Sequence, residues 1–289
     1  MALALAERMG GVVVNADSMQ VYRELSVLTA RPTAADEARA PHRLYGHVAG
    51  AEAYSAGRFA REAKAEIEAA LAAGRWPIVV GGTGLYFKAL TDGLSPIPEV
   101  PGPVRAFWRA VAERIGAGAL HGELARRDAV MAGRLRPSDP QRVTRALEVL
   151  DATGRSLAHW QALAPEPMID AAAAVRLVVA PDQAASNQRC DARFDAMLRD
   201  GALDEVRGLV GLGLDPGLPV MLALGVRPLV AHLRGERDLA SAAAAARTET
   251  RHFVKRQMTW LARNMSAWKW LSTQEIERYR GEVFSFIDP

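Results

Sequence analysis

The 289 residues hold a single cysteine, Cys190. That excludes an intrachain disulfide and a thiolate-built zinc site, which needs several cysteines at fixed spacing. A lone thiol suits a reducing compartment, and the expected location is the cytoplasm. Long apolar runs are lacking as well: no stretch of 18 or more apolar residues exists, so no membrane contact is expected. Met1 to Gly11 (MALALAERMGG) has no basic leader and is interrupted by Glu7 and Arg8, so it reads as a short helix and not a secretion signal. The histidines at 42, 47, 121, 159, 232 and 252 have no metal-ligand spacing, and no Ser/His/Asp order stands out. No internal repeat is present, and nothing signals oligomerisation, so a monomer is expected.

What is present is an ordinary globular balance, 49% hydrophobic and 24% charged, long enough for one large domain or two smaller ones. Net charge is only +3, but the pI is 9.2 and most of the basic residues are arginine. A polyanionic partner is allowed, and local charge distribution must decide.

Helices and short apolar strands alternate in the first part. Ala2 to Met9 predicts a helix closed by Gly10-Gly11, and Val12 to Asn15 a strand. Tyr54 to Ala73 predicts a helix on the spacing of Phe59, Ala63, Ile67 and Ala70. Pro77 to Val80 predicts a second strand and Leu85 to Leu90 a helix. Such alternation argues for a parallel sheet. Four prolines between Ser95 and Pro103 mark a boundary. From Val104 to about Gln161 only helices are expected. Val175 to Ala180 returns as a strand, and Asn187 to Met265 is helical again. The expected organisation is an α/β core at 1–100 and 175–289 with a helical insertion at 101–174.

Polar residues gather at two strand ends. Asp17 and Ser18 follow the first strand, and Gly81-Gly82-Thr83-Gly84 follows the second. Open parallel sheets bind ligands at the carboxyl ends of their strands. Glycines allow a ligand close to the backbone, and a following helix N-terminus favours an anion. Tight strand-to-helix turns use these residue types too. Charge also clusters. Arg105 to Arg155 contains ten arginines against six acids, with Arg142 and Arg145 on one helix face behind a Ser138-Asp139-Pro140 start. Arg247, Arg251 and Lys255 form a second stripe, beside Arg256, Arg263 and Trp260. These suit a phosphate backbone with a base stacked nearby, or else a solvated, ion-paired face. Arg189 and Arg193 could clamp a phosphate at the sheet edge, or pair locally with Asp191 and Asp195.

Six segments in order then carry a resemblance: NADSMQVYRELSVLTARPT (15–33), PHRLYGHV (41–48), VVGGTGLYFKAL (79–90), DPQRVTRALEVL (139–150), RFDAML (193–198) and TRHFVKRQMTWL (250–261). Together they resemble the tRNA dimethylallyltransferases across almost the whole chain. The resemblance implies a P-loop NTPase-like parallel sheet core with a helical insertion that grips a tRNA anticodon stem-loop. It implies transfer of a dimethylallyl group from dimethylallyl diphosphate to N6 of adenosine 37, with Mg2+. Asp17 becomes the general base, and Thr83 and Arg193 contact the diphosphate. Asp17, Ser18, Met19, Gln20, Arg105, Gln141, Arg142, Arg145, Arg227, Thr250, Arg251, Lys255, Arg256 and Gln257 are expected to meet tRNA.

The family usually opens with a strand and a GPTASGKS loop, and this chain begins within the helix that follows. The first strand and P-loop, with the Ser that would hold a metal, are therefore expected to be absent, leaving an unpaired sheet edge and a chain crippled in catalysis. Leu28 stands where the family usually has Gly. Val226 replaces the Tyr of a Gly-Tyr-Arg segment, which would remove a hydroxyl from a tRNA-contacting loop. The competing readings are a tRNA-binding remnant without catalysis and a nucleotide kinase on the same core with Asp17 as its base.

Overall fold

A computed structural model describes residues 1–180 and 182–272. The chain forms two compact units, one from 1–91 and 168–289, the other from 92–167. The helical unit thus begins earlier and ends earlier than the 101–174 read from the proline cluster.

In the first unit the elements run α1 (Ala2–Met9), β1 (Val12–Asn15), α2 (Ala34–Arg39), β2 (His42–Arg43), α3 (Ala56–Ala72), β3 (Pro77–Val80) and α4 (Gly84–Thr91). Gly10 closes α1 in the left-handed conformation, φ 61°, a geometry that costs a side-chain-bearing residue more. The expected parallel α/β core is present. β1 lies between β2 and β3 and is parallel to both, with Val13 opposite His42 and Ile78. All four residues of β1 are buried, as its unbroken Val-Val-Val run requires of a strand covered on both faces. On one face Val12 and Val14 pack with Phe59, Ala63, Ile67 and Tyr86; on the other Val13 packs with Ala6 and Ala40. The Phe59 and Tyr86 rings stack 3.9 Å apart, tying α3 to α4. Among the described residues β3 is an edge strand, and its last residue, Val80, is exposed.

The helical unit follows as α5 (Gly102–Arg127), α6 (Ala129–Arg134), α7 (Pro140–Thr153) and α8 (Leu157–Ala162). Gly116, at φ 75°, kinks α5. Asp139 caps α7 by accepting the Arg142 N–H, and Pro140 takes the first turn. The core of this unit is Trp108, Leu120, Leu124, Met131, Val143 and Leu147. The indole N–H of Trp108 donates to Asp151 at 2.6 Å, and Arg127 pairs with the same carboxylate while lying over the indole ring.

The first unit resumes with β4 (Leu177–Val179), α9 (Gln183–Arg199), α10 (Ala202–Gly211), α11 (Val226–Leu233), α12 (Leu239–Asn264) and β5 (Lys269–Leu271). β4 and β5 pair in parallel as a separate two-stranded sheet. The helices enclose a second apolar core with Tyr22, Leu25, Leu28, Phe194, Leu209, Val226 and Leu229. The segment after β1 is pinned to this core by Glu205 of α10, whose carboxylate accepts the backbone N–H groups of Ser26, Val27 and Leu28.

Two departures from the family pattern meet here. Leu28 is 8% exposed and Val226 fully buried, both in the same cluster. Val226 therefore fills core in this chain, while its neighbour Arg227 is exposed. Truncation of Leu28 to Ala should cost about 2–4 kcal/mol, the usual range for a buried leucine. Urea unfolding would read it as a lower midpoint at unchanged slope.

Candidate active site

The site is built where β1 and β3 end. Asn15 is fully buried, and its carboxamide is completely engaged. Its Oδ1 accepts the Asp17 N–H at 2.8 Å, and its Nδ2 donates to the carbonyls of Asp17 and Leu44, each at 3.0 Å. The backbone is thereby turned so that the Asp17 side chain leaves the sheet edge. Leu44 has φ 63°, a strained conformation for a leucine, and its carbonyl is one that Asn15 holds.

Thr83 meets this turn from β3. Its N–H donates to Ala16 O at 3.1 Å. Its Oγ1 accepts the Ser18 N–H at 2.9 Å and lies 3.1 Å from Ser18 Oγ. Gly81 is required by the approach: a Cβ there would lie 2.2 Å from the Ala16 carbonyl carbon. Asp17 uses its two oxygens differently. Oδ1 accepts the Met19 N–H at 2.8 Å and the Gln20 N–H at 3.4 Å. No hydrogen bond occupies Oδ2 among the described residues. One oxygen is anchored by backbone amides and the other is not.

Behind Asp17 stands a wall of tyrosines. Burial raises the pKa of Tyr45 and of Tyr86, and the Asp17 charge adds to both shifts. These phenols stay protonated. Further back, Glu62 Oε2 accepts the Tyr54 hydroxyl at 2.6 Å and lies 2.9 Å from His47 Nε2, while Oε1 accepts Arg58 Nε at 2.8 Å. Burial alone would raise the Glu62 pKa, but the three hydrogen bonds outweigh it and hold the carboxyl below its ordinary range. Asn15, Tyr45 and Tyr86 were not singled out from the sequence. Asn15 could have been, since an amide at the end of a buried apolar run must find partners.

The expected ligand-contacting residues divide. Asp17, Ser18 and Thr83 come together. Met19 packs on the core, and Gln20 braces its own loop by donating to Thr29 O at 2.8 Å. Arg193 on α9 is exposed, and no ion pair engages it among the described residues. The local alternative for it does not hold, because Asp191 and Asp195 pair across to α12. Asp191 receives Arg251 through both carboxylate oxygens at 2.9 Å, and Asp195 receives Arg247. Arg251 is thus tied down, and Thr250 is buried with its hydroxyl on Ala246 O. Lys255, Arg256 and Arg227 are exposed without ion pairs among the described residues. Gln257 turns inward and donates to Gly82 O at 2.7 Å. In the helical unit Gln141 and Arg142 are exposed. Arg142 and Arg145 make i,i+3 pairs with Asp139 and Glu148, each at 3.3 Å. The Arg142–Asp139 pair is exposed and weak, whereas the Glu148 carboxylate that holds Arg145 is buried. Arg105 donates to Val100 O at 3.0 Å.

The model of the IPP transferase family matches residues 20–264, most of the chain and all the strand-end and helical segments just described except β1 and Asp17–Met19. The chain belongs to the IPP transferase family. A tRNA dimethylallyltransferase of Parvibaculum lavamentivorans is 52% identical over 288 residues, covering 100% of this chain and 91% of the relative. One from Nitrobacter hamburgensis is 53% identical over 277 residues, 96% and 87% of the two chains. Among solved structures, the full-length tRNA isopentenylpyrophosphate transferase of Bacillus halodurans superposes with a TM-score of 0.69 at 28% identity, covering 99% of this chain and 90% of that one. A eukaryotic dimethylallyltransferase acting on tRNA shares the fold, with a TM-score of 0.77 at 24% identity over 96% and 71% of the two chains. Membership of the IPP transferase family makes this protein a prenyl-transferring enzyme.

Glu62 supplies a pH test of the wall behind the site. A carboxyl whose folded pKa lies below its unfolded value stabilises the fold above the ordinary carboxyl range, and that contribution fades as pH falls through the lowered value. Glu62→Gln should therefore lower Tm at pH 7, and its gap to the unaltered protein should narrow below about pH 4. Thermal melts of both proteins across pH 3–8 would check it.

Proposed function

We propose that this protein transfers a dimethylallyl group from dimethylallyl diphosphate to N6 of adenosine 37 in tRNA, next to the anticodon. The observation that carries the reading is the divided Asp17 carboxylate, Oδ1 pinned by backbone amides and Oδ2 open, with Thr83 beside it at the neighbouring strand end. The adenine leaves its stack to reach this edge. As N6 attacks the allylic carbon, the N6–C1 bond forms and the bond from C1 to the diphosphate oxygen breaks. The diphosphate departs with the electron pair, and the N6 proton passes to Asp17 Oδ2.

The leaving group gathers negative charge. The 289 residues contain no G-x-x-x-x-G-K-[ST] loop, so within them its partners in this reading are Thr83, the exposed Arg193 and the N-terminus of α4. Among the described residues no group of three or more His, Cys, Asp or Glu is placed to hold a metal. A hard cation at a phosphate site needs few protein ligands, so Mg2+ in this reading would enter with the diphosphate and offset its charge beside the Ser18 and Thr83 hydroxyls. The anticodon stem-loop contacts in this reading are Lys255, Arg256 and Arg227 in the first unit; in the second they are Gln141, Arg142, Arg145 and Arg105. Arg251 contributes by holding α12 to α9. The enzyme acts as a cytoplasmic monomer. The exposed cations of α7 and α12 favour this over a nucleotide kinase, which needs no long basic surface.

Asp17→Ala should lower kcat by on the order of 10²- to 10⁴-fold, the usual contribution of a general base, while the affinity for an unmodified tRNA stays within about twofold. Labelled dimethylallyl transfer and filter binding read the two quantities. Lost binding with intact turnover would remove Asp17 from the base role, and absence of any transfer by the unaltered chain favours the RNA-binding remnant. Lys255→Glu with Arg256→Glu should weaken tRNA binding and flatten its salt dependence by roughly one to two units of log–log slope. An unchanged affinity would return that helix face to solvent.

A further inference from the structure

We infer that Gln257 is a positioning residue: its side-chain amide fixes the Gly81–Gly84 turn that carries Thr83 against Asp17, and it is not an RNA contact. The inference rests on the transfer reading above for what the turn does, but its geometry stands independently.

Gln257 Nε2 donates to Gly82 O at 2.7 Å, across 175 residues of sequence. The fit leaves no slack. A Cβ on Gly82 would lie 2.6 Å from that nitrogen and 3.3 Å from Asp17 Oδ2. The amide of Gln257 therefore sits over the same small space as the open oxygen of the base. One turn further along α12, Trp260 covers the other end of the loop, where a Cβ on Gly84 would lie 2.1 Å from the indole ring. Three of the four residues of the turn are thus glycines because something fills the place of a side chain. At Gly81 it is the Ala16 backbone, at Gly82 the Gln257 amide and at Gly84 the Trp260 ring.

The helix places these residues on one side. Gln257 and Trp260 are three apart, and the buried Thr250 is two turns before Gln257, so all three share a face. Lys255 is two residues from Gln257, about 200° around the axis at 3.6 residues per turn. Arg256, four residues before Trp260, borders the face that holds the turn, so the exposed cations of α12 and the residues that hold the turn ride on one rigid element. Anything that binds the first is mechanically joined to Asp17 and Thr83 through the second.

The test uses the full chain and two readouts. In steady-state transfer to an unmodified tRNA, Gln257→Ala should lower kcat on the order of 10- to 100-fold, as loss of alignment does, with KM for tRNA within about twofold. Gln257→Glu should be worse at neutral pH, where a carboxylate faces the Gly82 carbonyl and Asp17. Relative to the unaltered enzyme it should recover as pH falls and the glutamic acid regains a proton to donate. Amide hydrogen exchange, measured without substrate, should rise in the 79–87 segment of Gln257→Ala while other segments keep their protection. A raised KM at unchanged kcat, or unaltered exchange at 79–87, overturns the positioning role. If the unaltered chain transfers nothing, the transfer reading fails and the exchange measurement still decides the positioning.

Discussion

The buried carboxamide of Asn15 is the constraint on which this sheet edge depends. It lies at the end of a strand buried on both faces, where an unmatched amide would cost about 1–3 kcal/mol for each orphaned group. It escapes that cost by binding the next turn of its own chain and the Leu44 carbonyl beyond β2. Both ends of the bargain are structural, and the consequence is chemical. The chain after β1 bends as Asn15 dictates, so Asp17 emerges with one oxygen held by amides and the other open. The left-handed Leu44 is the strain accepted for it, of order 1–2 kcal/mol.

Once Asp17 is set, the rest of the site is a matter of close approach. Thr83 can bond the Ala16 carbonyl and the Ser18 amide only because Gly81 has no side chain. The turn can in turn be covered by α12 only because Gly82 and Gly84 have none. A GGTG segment at a strand end suggests anion binding from sequence alone, through backbone freedom. None of its three glycines has a positive φ in this structure. Their role is space, and the space is occupied by other parts of the same protein.

That distinction shows what could be read in advance. Parallel alternation, the β1 and β3 runs, the α7 cap and the cationic helices all follow from local rules, and they are where those rules place them. β2 and β5 are two and three residues long and carry no periodic signal, so only their partners define them. Asp17 and Thr83 were legible because each ends an apolar run. Gln257 was legible only as one polar residue in a basic helix, and its direction depended on which face of α12 the core takes. Thr250 is the same case: a hydroxyl beside arginines reads as surface until the helix is rotated onto its core. Val226 and Arg227 are adjacent on α11 yet one is buried and the other exposed, because adjacent helical residues point in different directions.

The charges on α9 carry the sharpest lesson, because there the sequence contained the answer. Arg189 and Arg193 stand two or six residues from Asp191 and Asp195, and helical neighbours are three or four apart. Neither arginine could have closed a pair with either acid along that helix. Asp191 and Asp195, themselves four apart, share one face and present two carboxylates to a partner. Arg247 and Arg251 on α12, also four apart, present two guanidiniums, and the two helices join through those pairs. Each pair is partly exposed and contributes modestly, about 0.2–1 kcal/mol. Their larger effect is subtraction. They remove from the basic stripe of α12 the two arginines nearest α9 and leave Lys255, Arg256 and Arg263 as its exposed cations. They also turn Arg193, two residues from each acid, to the opposite side of α9, uncompensated. An exposed guanidinium whose neighbouring acids face elsewhere has no internal use for its charge.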